Sequence, residues 1–210
     1  MSISPETIAA RALPGILALG GGRKLIAVAG PPGSGKSTLA EALVAALTDA
    51  GKRAQVVPMD GFHLDNRILE ARGLLARKGC PDSFDADGFV ALVRRIAAGE
   101  NVAYPVFDRA RDLAIAGAEV VDAATEFAMF EGNYLLLKTA PWCDLRAFWS
   151  FSLRIDEPRA ELERRLVARW LAHGLPHDEA ARRCAENDIP NADLVAESSG
   201  AADLVVGSGQ

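Results

Sequence analysis

The chain has 210 residues, half of them apolar and 24% charged, with a formal net charge of −5. That length holds one α/β domain with a substantial core, is short for two domains of ordinary size, and has a balance that excludes a disordered tail or a fibre. Lys and Arg are scattered apart from short pairs such as Arg94-Arg95, which argues against a nucleic-acid partner, and no apolar run approaches the roughly 18–20 residues of a bilayer span, so a cytoplasmic protein is expected.

In chain order, a short helix is predicted at about 5–19, closed by Gly20-Gly21-Gly22, and Lys24 to Ala29 reads as a compact buried strand. Leu39, Leu43 and Leu47 recur at helical spacing; Val56 and Val57 supply a second short strand. Phe89, Leu92, Val93 and Ile96 mark an amphipathic helix that Gly99 would stop. The stretch from about 99 to 118, with Pro105 and two glycines, reads as irregular, and its length suggests that it contributes to a site.

Residues 125–131 and 147–155 are further strand candidates, the second leading through Asp156 to Pro158 as the start of a helix. That helix carries Leu162, Leu166 and Trp170 on one face and ends near Gly174; another is expected at about 178–188 and a last strand at 203–206. Buried strands alternating with helices imply an α/β fold: a parallel sheet of about five strands covered on both sides, with ligands at the carboxyl ends of the strands. Cys80, Cys143 and Cys184 are far apart and form no CxxC pair, so all three read as structural.

The strongest motif is Gly30-Pro-Pro-Gly-Ser-Gly-Lys36-Ser37, which satisfies GxxxxGK[ST] between a strand and a helix. Gly30, Gly33 and Gly35 let the backbone around Ser34 curl so that N–H groups point at a phosphate, aided by the helix amino terminus. Lys36 would reach the β- and γ-phosphates of ATP and the Ser37 hydroxyl would ligate Mg²⁺, with Thr38 a candidate at the α-phosphate. No NKxD guanine-reading motif and no LSGGQ-like signature occurs, which lowers the GTPase and transporter readings and leaves kinase and plain ATPase.

Two acids follow strands beside this loop. Asp60 in Met59-Asp60-Gly61-Phe62-His63-Leu64-Asp65-Asn66 could take a proton from an attacking hydroxyl or hold the water shell of Mg²⁺; an ordinary Asp-Gly turn is the alternative. Glu131, followed by Gly132, stands where a second metal-side carboxylate is expected. His63 and Asp65 could bond acceptor hydroxyls or simply cap and pack a loop. Asn187-Asp188 and Asn191 could touch a ligand or cap a helix.

Together, GPPGSGKST, MDGFHLDN, YPVFDRARD and FEGNYLLL resemble the phosphoribulokinase, uridine kinase and type I pantothenate kinase family, from about residue 24 to the end. The resemblance implies a P-loop NTPase three-layer fold with a helical lid, one kinase domain over 1–210 and a lid and helical region at about 158–190. It also implies Asp60 as catalytic base and Glu131 at the metal. The 158–173 helix resembles the family's lid, whose arginines close over the phosphates; Arg164, Arg165 and Arg169 are its candidates, with Arg169 favoured as catalytic and Arg165 on the nucleotide. The spacing departs from the RRIxRD lid pattern by one residue, and Trp170 stands where its acid would be. Tyr104, Asp108 and Arg109 resemble the PxYD acceptor segment, with Phe107 replacing its tyrosine.

The implied activity is ATP- and Mg-dependent transfer of a γ-phosphoryl group to a hydroxyl of a small molecule, a sugar slightly ahead of a nucleoside or a pantothenate-like alcohol. A nucleotide-binding accessory protein of a sugar-uptake system is the alternative from another class. The expected partner is a small-molecule acceptor, with no nucleic acid and no membrane insertion; a homodimer is left open.

Overall fold

In a computed structural model, which describes residues 4–207, the chain opens with α1 (Pro5–Leu17). The helix is capped by Ser4, whose hydroxyl accepts from the Thr7 amide. There follow β1 (Lys24–Ala29), α2 (Lys36–Asp49), β2 (Ala54–Pro58), a 3₁₀ turn at Met59–Phe62, α3 (Asn66–Ala71), α4 (Ala86–Ala97), β3 (Val102–Asp108), β4 (Leu113–Val121) and β5 (Phe127–Gly132). The rest comprises a 3₁₀ run at Trp142–Phe148, β6 (Phe151–Ile155), α5 (Arg159–Ala172), α6 (His177–Arg183), a π-helical segment at Cys184–Asp188, α7 (Ile189–Ser198) and β7 (Leu204–Val206). A domain running over 1–210 reaches beyond the described residues at both ends.

Five strands form one parallel sheet in the order β2-β5-β1-β6-β7. β1 lies at its centre and is buried at all six positions, which suits its unbroken apolar run. Leu25, Ala27 and Ala29 face a core built with Phe89, Val93 and Ile96 of α4, Phe130 and Trp142. Ile26 and Val28 face the opposite core, with Ile16 of α1 and Leu39, Leu43 and Leu47 of α2. Period-two alternation in one strand thus feeds two helical layers. A smaller cluster joins Leu162 and Leu166 of α5 to Cys184, Ile189 and Ala192.

Register sets the site. Val28 pairs with Glu131 and Ala29 with Gly132, while Pro58 of β2 also pairs with Glu131. The ends of β1, β2 and β5 therefore come level, and the segments that follow them open at one edge of the sheet.

Three expectations change. The stretch taken as irregular is a two-stranded antiparallel hairpin, β3 with β4; its register shifts between Tyr104 and Val106, and Pro105, which cannot donate to a ladder, sits at that irregularity. The strand expected at 147–155 is extended only from Phe151, because Trp142–Phe148 coils as 3₁₀. The helix expected to end near 188 instead passes through the π segment into α7, whose first turn accommodates Pro190. The three cysteines are free thiols, Cys80 and Cys184 buried. Among the described residues no helix is long and apolar enough to cross a membrane.

Candidate active site

Residues 30–37 wrap from the end of β1 into α2. Gly33 and Gly35 adopt φ of 79° and 87°, a left-handed backbone that side-chain-bearing residues rarely take, and Gly35 is the cap residue of α2. A Cβ on Gly30 would stand 2.7 Å from Ser34 Oγ and 3.2 Å from Ile155 Cβ, so a larger residue there would crowd the loop. Ser34 Oγ is itself buried and has no hydrogen-bond partner among the described residues. Thr38 is exposed in the first turn of α2.

Lys36 points into a cleft of about 450 Å³ lined also by Asp60, His63, Lys78, Arg109 and Arg169. Burial pulls its amine below the ordinary lysine range, while Glu131 and Asp60 oppose that shift and Arg169 and Arg109 add to it. Glu131 is 5% exposed at the end of β5; burial raises its carboxyl, with Lys36 pulling the other way. Its Oε2 accepts a 3.1 Å bond from Ser37 Oγ.

The orphaned Ser34 hydroxyl, the amide-lined turn and the Ser37–Glu131 oxygen pair fit a nucleotide phosphate with Mg²⁺. Ser37 and Glu131 would hold the ion, directly or through water. Bound there, it would neutralise charge on the β- and γ-phosphates.

Opposite the loop, Asp60 lies in the 3₁₀ turn after β2, where Arg109 Nη2 donates to its Oδ2 at 2.6 Å. The hairpin reaches this turn because Gly61 lies directly under it; a Cβ there would collide with the Pro105 carbonyl. His63 Nδ1 meets the Asp60 carbonyl at 2.8 Å, and its ring lies between Phe84 and Phe107, at centroid distances of 4.0 and 4.7 Å. This burial pushes the imidazole below its ordinary pKa, so it is neutral at pH 7 and donates through Nδ1.

Of the acceptor-side candidates, His63 and Arg109 line the cleft and three others do not. Asp65 caps α3, accepting from the Arg67 amide and guanidinium. Asp108 is taken up by the Arg111 amide and side chain within the hairpin turn. Tyr104 is 2% exposed in the core, and its hydroxyl donates to Val56 O, fastening the hairpin to the sheet edge. Short polar residues in a YPVFDRARD run look alike in sequence, and the hairpin pleat decides which of them turn inward.

The lid arginines also separate. Arg164 bonds only to Glu161 among the described residues and is 68% exposed. Arg165 donates to Glu161 and, at 3.3 Å, to the Gly33 carbonyl, which sets it against the phosphate loop. Arg169 lines the cleft and donates to Asp188 Oδ1 at 3.2 Å.

Several cleft residues escaped the sequence reading. Lys78, whose side chain is only 10% exposed, donates to Asn66 Oδ1 (2.7 Å) and the Asp112 carbonyl (2.9 Å) and pairs with the Asp112 carboxylate (2.9 Å). Asp112 takes a left-handed φ of 55°, unusual for a residue with a side chain, at the end of the hairpin turn. Asn133, which follows β5, and Arg183 of α6 also line the cleft, whereas Asn187, Asp188 and Asn191, read from sequence as ligand contacts or helix caps, line it as the first of those readings allowed. Lys78 sits in a run, ARKGC, with no pattern to flag it.

A family model described as methylmalonyl Co-A mutase-associated GTPase MeaB matches residues 3–63, the segment from α1 through the phosphate loop to His63. A protein of Escherichia coli (strain K12) called YggC, itself uncharacterised, is 34% identical over 186 residues, covering 88% of this chain and 77% of its own. A Schizosaccharomyces pombe protein, provisionally named a uridine kinase, is 33% identical over 195 residues, covering 88% of this chain and 83% of its own. Among solved structures, a protein of Silicibacter sp. TM1040, provisionally described as a fructose transport system kinase, is 49% identical with a TM-score of 0.91, over 98% of this chain and all of that one.

Proposed function

Because the chain belongs to the P-loop kinase family of phosphoribulokinase, uridine kinase and type I pantothenate kinase, we propose that it transfers the γ-phosphoryl group of ATP to a hydroxyl of a small molecule, with a sugar the favoured acceptor. One observation carries this reading. The Asp60 carboxylate and the Lys36 ammonium line the same cleft and feel one another's charge. A hydroxyl held by Asp60 would therefore face a phosphate held by Lys36, which is the arrangement in-line transfer needs.

In that reaction Lys36 and the loop amides hold the phosphates, and Ser37 and Glu131 hold the metal side. Asp60 orients the acceptor hydroxyl and receives its proton, its Oδ1 being available for the purpose since, among the described residues, Oδ2 alone accepts a hydrogen bond, from Arg109. Arg169 and Arg165 approach from α5 to exclude water and spread charge. Most of the acceleration comes from positioning.

The preference for a sugar is supported by the polar lining of the cleft and by the description of the 49% identical relative. The test is ADP release, followed by a coupled assay, against sugars, nucleosides and pantothenate-like alcohols. Release that a sugar stimulates supports the proposal. Nucleotide hydrolysis that no acceptor stimulates would replace it with a plain ATPase, and tight nucleotide binding without turnover with an accessory role.

A further inference from the structure

Asp188 is a carboxylate buried to 5% exposure in a part of the chain where α-helical register is broken. The π segment at Cys184–Asp188 widens the helical turn between α6 and α7, and such bulges re-aim side chains. Both carboxylate oxygens are in use. Oδ2 accepts from Trp170 Nε1 at 2.6 Å and Oδ1 from Arg169 Nη2 at 3.2 Å. These donors are consecutive residues of α5, so one acid holds both the indole and the guanidinium at the lip of the cleft.

The segment bearing this acid is anchored on its other side. Asn187 Nδ2 donates to the Lys78 carbonyl at 2.8 Å, and the Arg77 guanidinium donates to the Glu186 carbonyl. Asp188 is thus fixed to the acceptor wall and reaches across to α5. Arg169, by contrast, remains 41% exposed, lines the cleft with Lys36, and is near enough to act on the Lys36 charge. An anion that binds Lys36 therefore also lies within the field of Arg169.

We infer that Asp188 is the resting counter-ion of Arg169, a positioning residue that holds the guanidinium beside the phosphate site and gives it up to the triphosphate when nucleotide binds. Trp170 keeps its bond to Oδ2 through the exchange and acts as the fixed point of α5. No covalent bond changes; Arg169 passes from one anion to another. Asp188 is not left without positive charge, since Arg183, whose guanidinium lies 4.1 Å over the Trp170 ring, also acts on its carboxylate.

The inference rests on the nucleotide-binding part of the proposed function and is tested by binding, not turnover. Calorimetric titration of the full chain with Mg-ATP should show Asp188→Asn binding about 3- to 10-fold more tightly than the wild type, because the competitor for Arg169 is gone while an amide oxygen can still accept from Trp170. The gain should disappear when Asp188→Asn is placed in an Arg169→Gln background. Unchanged or weaker binding in the single variant overturns the inference, and so does an equal gain in both backgrounds, which would mean a field effect that bypasses Arg169. If Asp188→Asn does not fold, the wild type still decides. On saturation with Mg-ATP, the Arg169 side-chain NMR signal should move while the Trp170 indole N–H keeps its hydrogen-bonded shift. A stationary Arg169 or a released Trp170 overturns the inference. Wild-type protein with no affinity for Mg-ATP would sink the functional reading as well, whereas binding without coupling sinks this inference alone.

Discussion

The two walls of the cleft are built by different means. On the proposed nucleotide side, eight consecutive residues running from the end of β1 into the first turn of α2 would make the anion cradle, and among the described residues the one distant side chain bonded into it from the sheet is Glu131, set level with the loop by strand register. On the acceptor side the wall is assembled from separate pieces: the turn at Met59–Phe62, the Lys78 loop, the hairpin and the π segment. These are joined by the Arg109–Asp60 pair, the Lys78–Asp112 pair and the Tyr104–Val56 bond. The first wall follows from local conformation, the second only from docking of the hairpin. Damage to the hairpin should therefore spare nucleotide binding, and damage to the loop should abolish it.

The largest effects are expected where the two walls meet the reaction. Lys36→Ala should lower kcat by about 10²–10³, the usual cost of removing one preorganised charge donor. Asp60→Asn should lower it by about 10²–10⁴, the usual contribution of a positioned general base. The comparison predicts a split. Lys36→Ala should also weaken Mg-ATP binding in calorimetry, and Asp60→Asn should leave it within a few-fold of the wild type. Equal losses of affinity in both variants would merge the two walls into one unit.

This contrast also explains what was legible in the sequence. The phosphate loop could be read because eight residues in a row carry their own geometry in glycine placement and in the strand and helix around them. Arg169 became a candidate only through the resemblance of its helix to the family's lid, and Asp60 and Glu131 through their places at strand ends. The hairpin could not, because Pro105 and Gly117 look like breakers when the strand irregularity that accommodates the proline is not visible. Tyr104, Asp65 and Asp108 have the residue types of a polar pocket, yet their bonds lie in the core, at a helix cap and within a turn. Lys78 gains its meaning only from Asn66 and Asp112, 12 and 34 residues away.

Gly61→Ala attacks the docking itself. Its new methyl group must displace the Pro105 carbonyl, so the hairpin shifts and Arg109 loses its reach to Asp60. Overpacking of this kind typically costs about 1–3 kcal/mol. The acceptor KM should rise about tenfold while the Mg-ATP dissociation constant stays put; loss of both together would contradict the division of the cleft. Lys78→Met is a milder version. It removes the cation from Asn66 Oδ1 and from Asp112, whose half-exposed carboxylate keeps its bond from the Asn66 amide, at a cost of about 0.5–1.5 kcal/mol in denaturant unfolding, and should raise acceptor KM by a few-fold without moving nucleotide affinity.

The smallest effect expected is in pH dependence, and it sharpens the comparison because the acceptor wall carries a histidine packed between two aromatic rings. His63 is held below the ordinary imidazole value of 6.5 chiefly by burial; Lys78 and Arg109 add to the shift, while Asp60, through its charge and its carbonyl, opposes it. The folded chain thus binds fewer protons at this site than the unfolded chain as pH falls below 6.5, so stability should decline on acidification through that window and recover as pH rises. Replacing His63 by Asn keeps a side-chain donor toward the Asp60 carbonyl but removes the titration. Between pH 7 and pH 5.5 the wild-type Tm should fall further than that of the variant. The excess should be a few degrees at most, since each kcal/mol shifts Tm by about 2–4 °C in a chain of this size. Parallel curves would mean that the imidazole between Phe84 and Phe107 accepts a proton as easily in the folded protein as in water, and that the acceptor wall is open rather than packed.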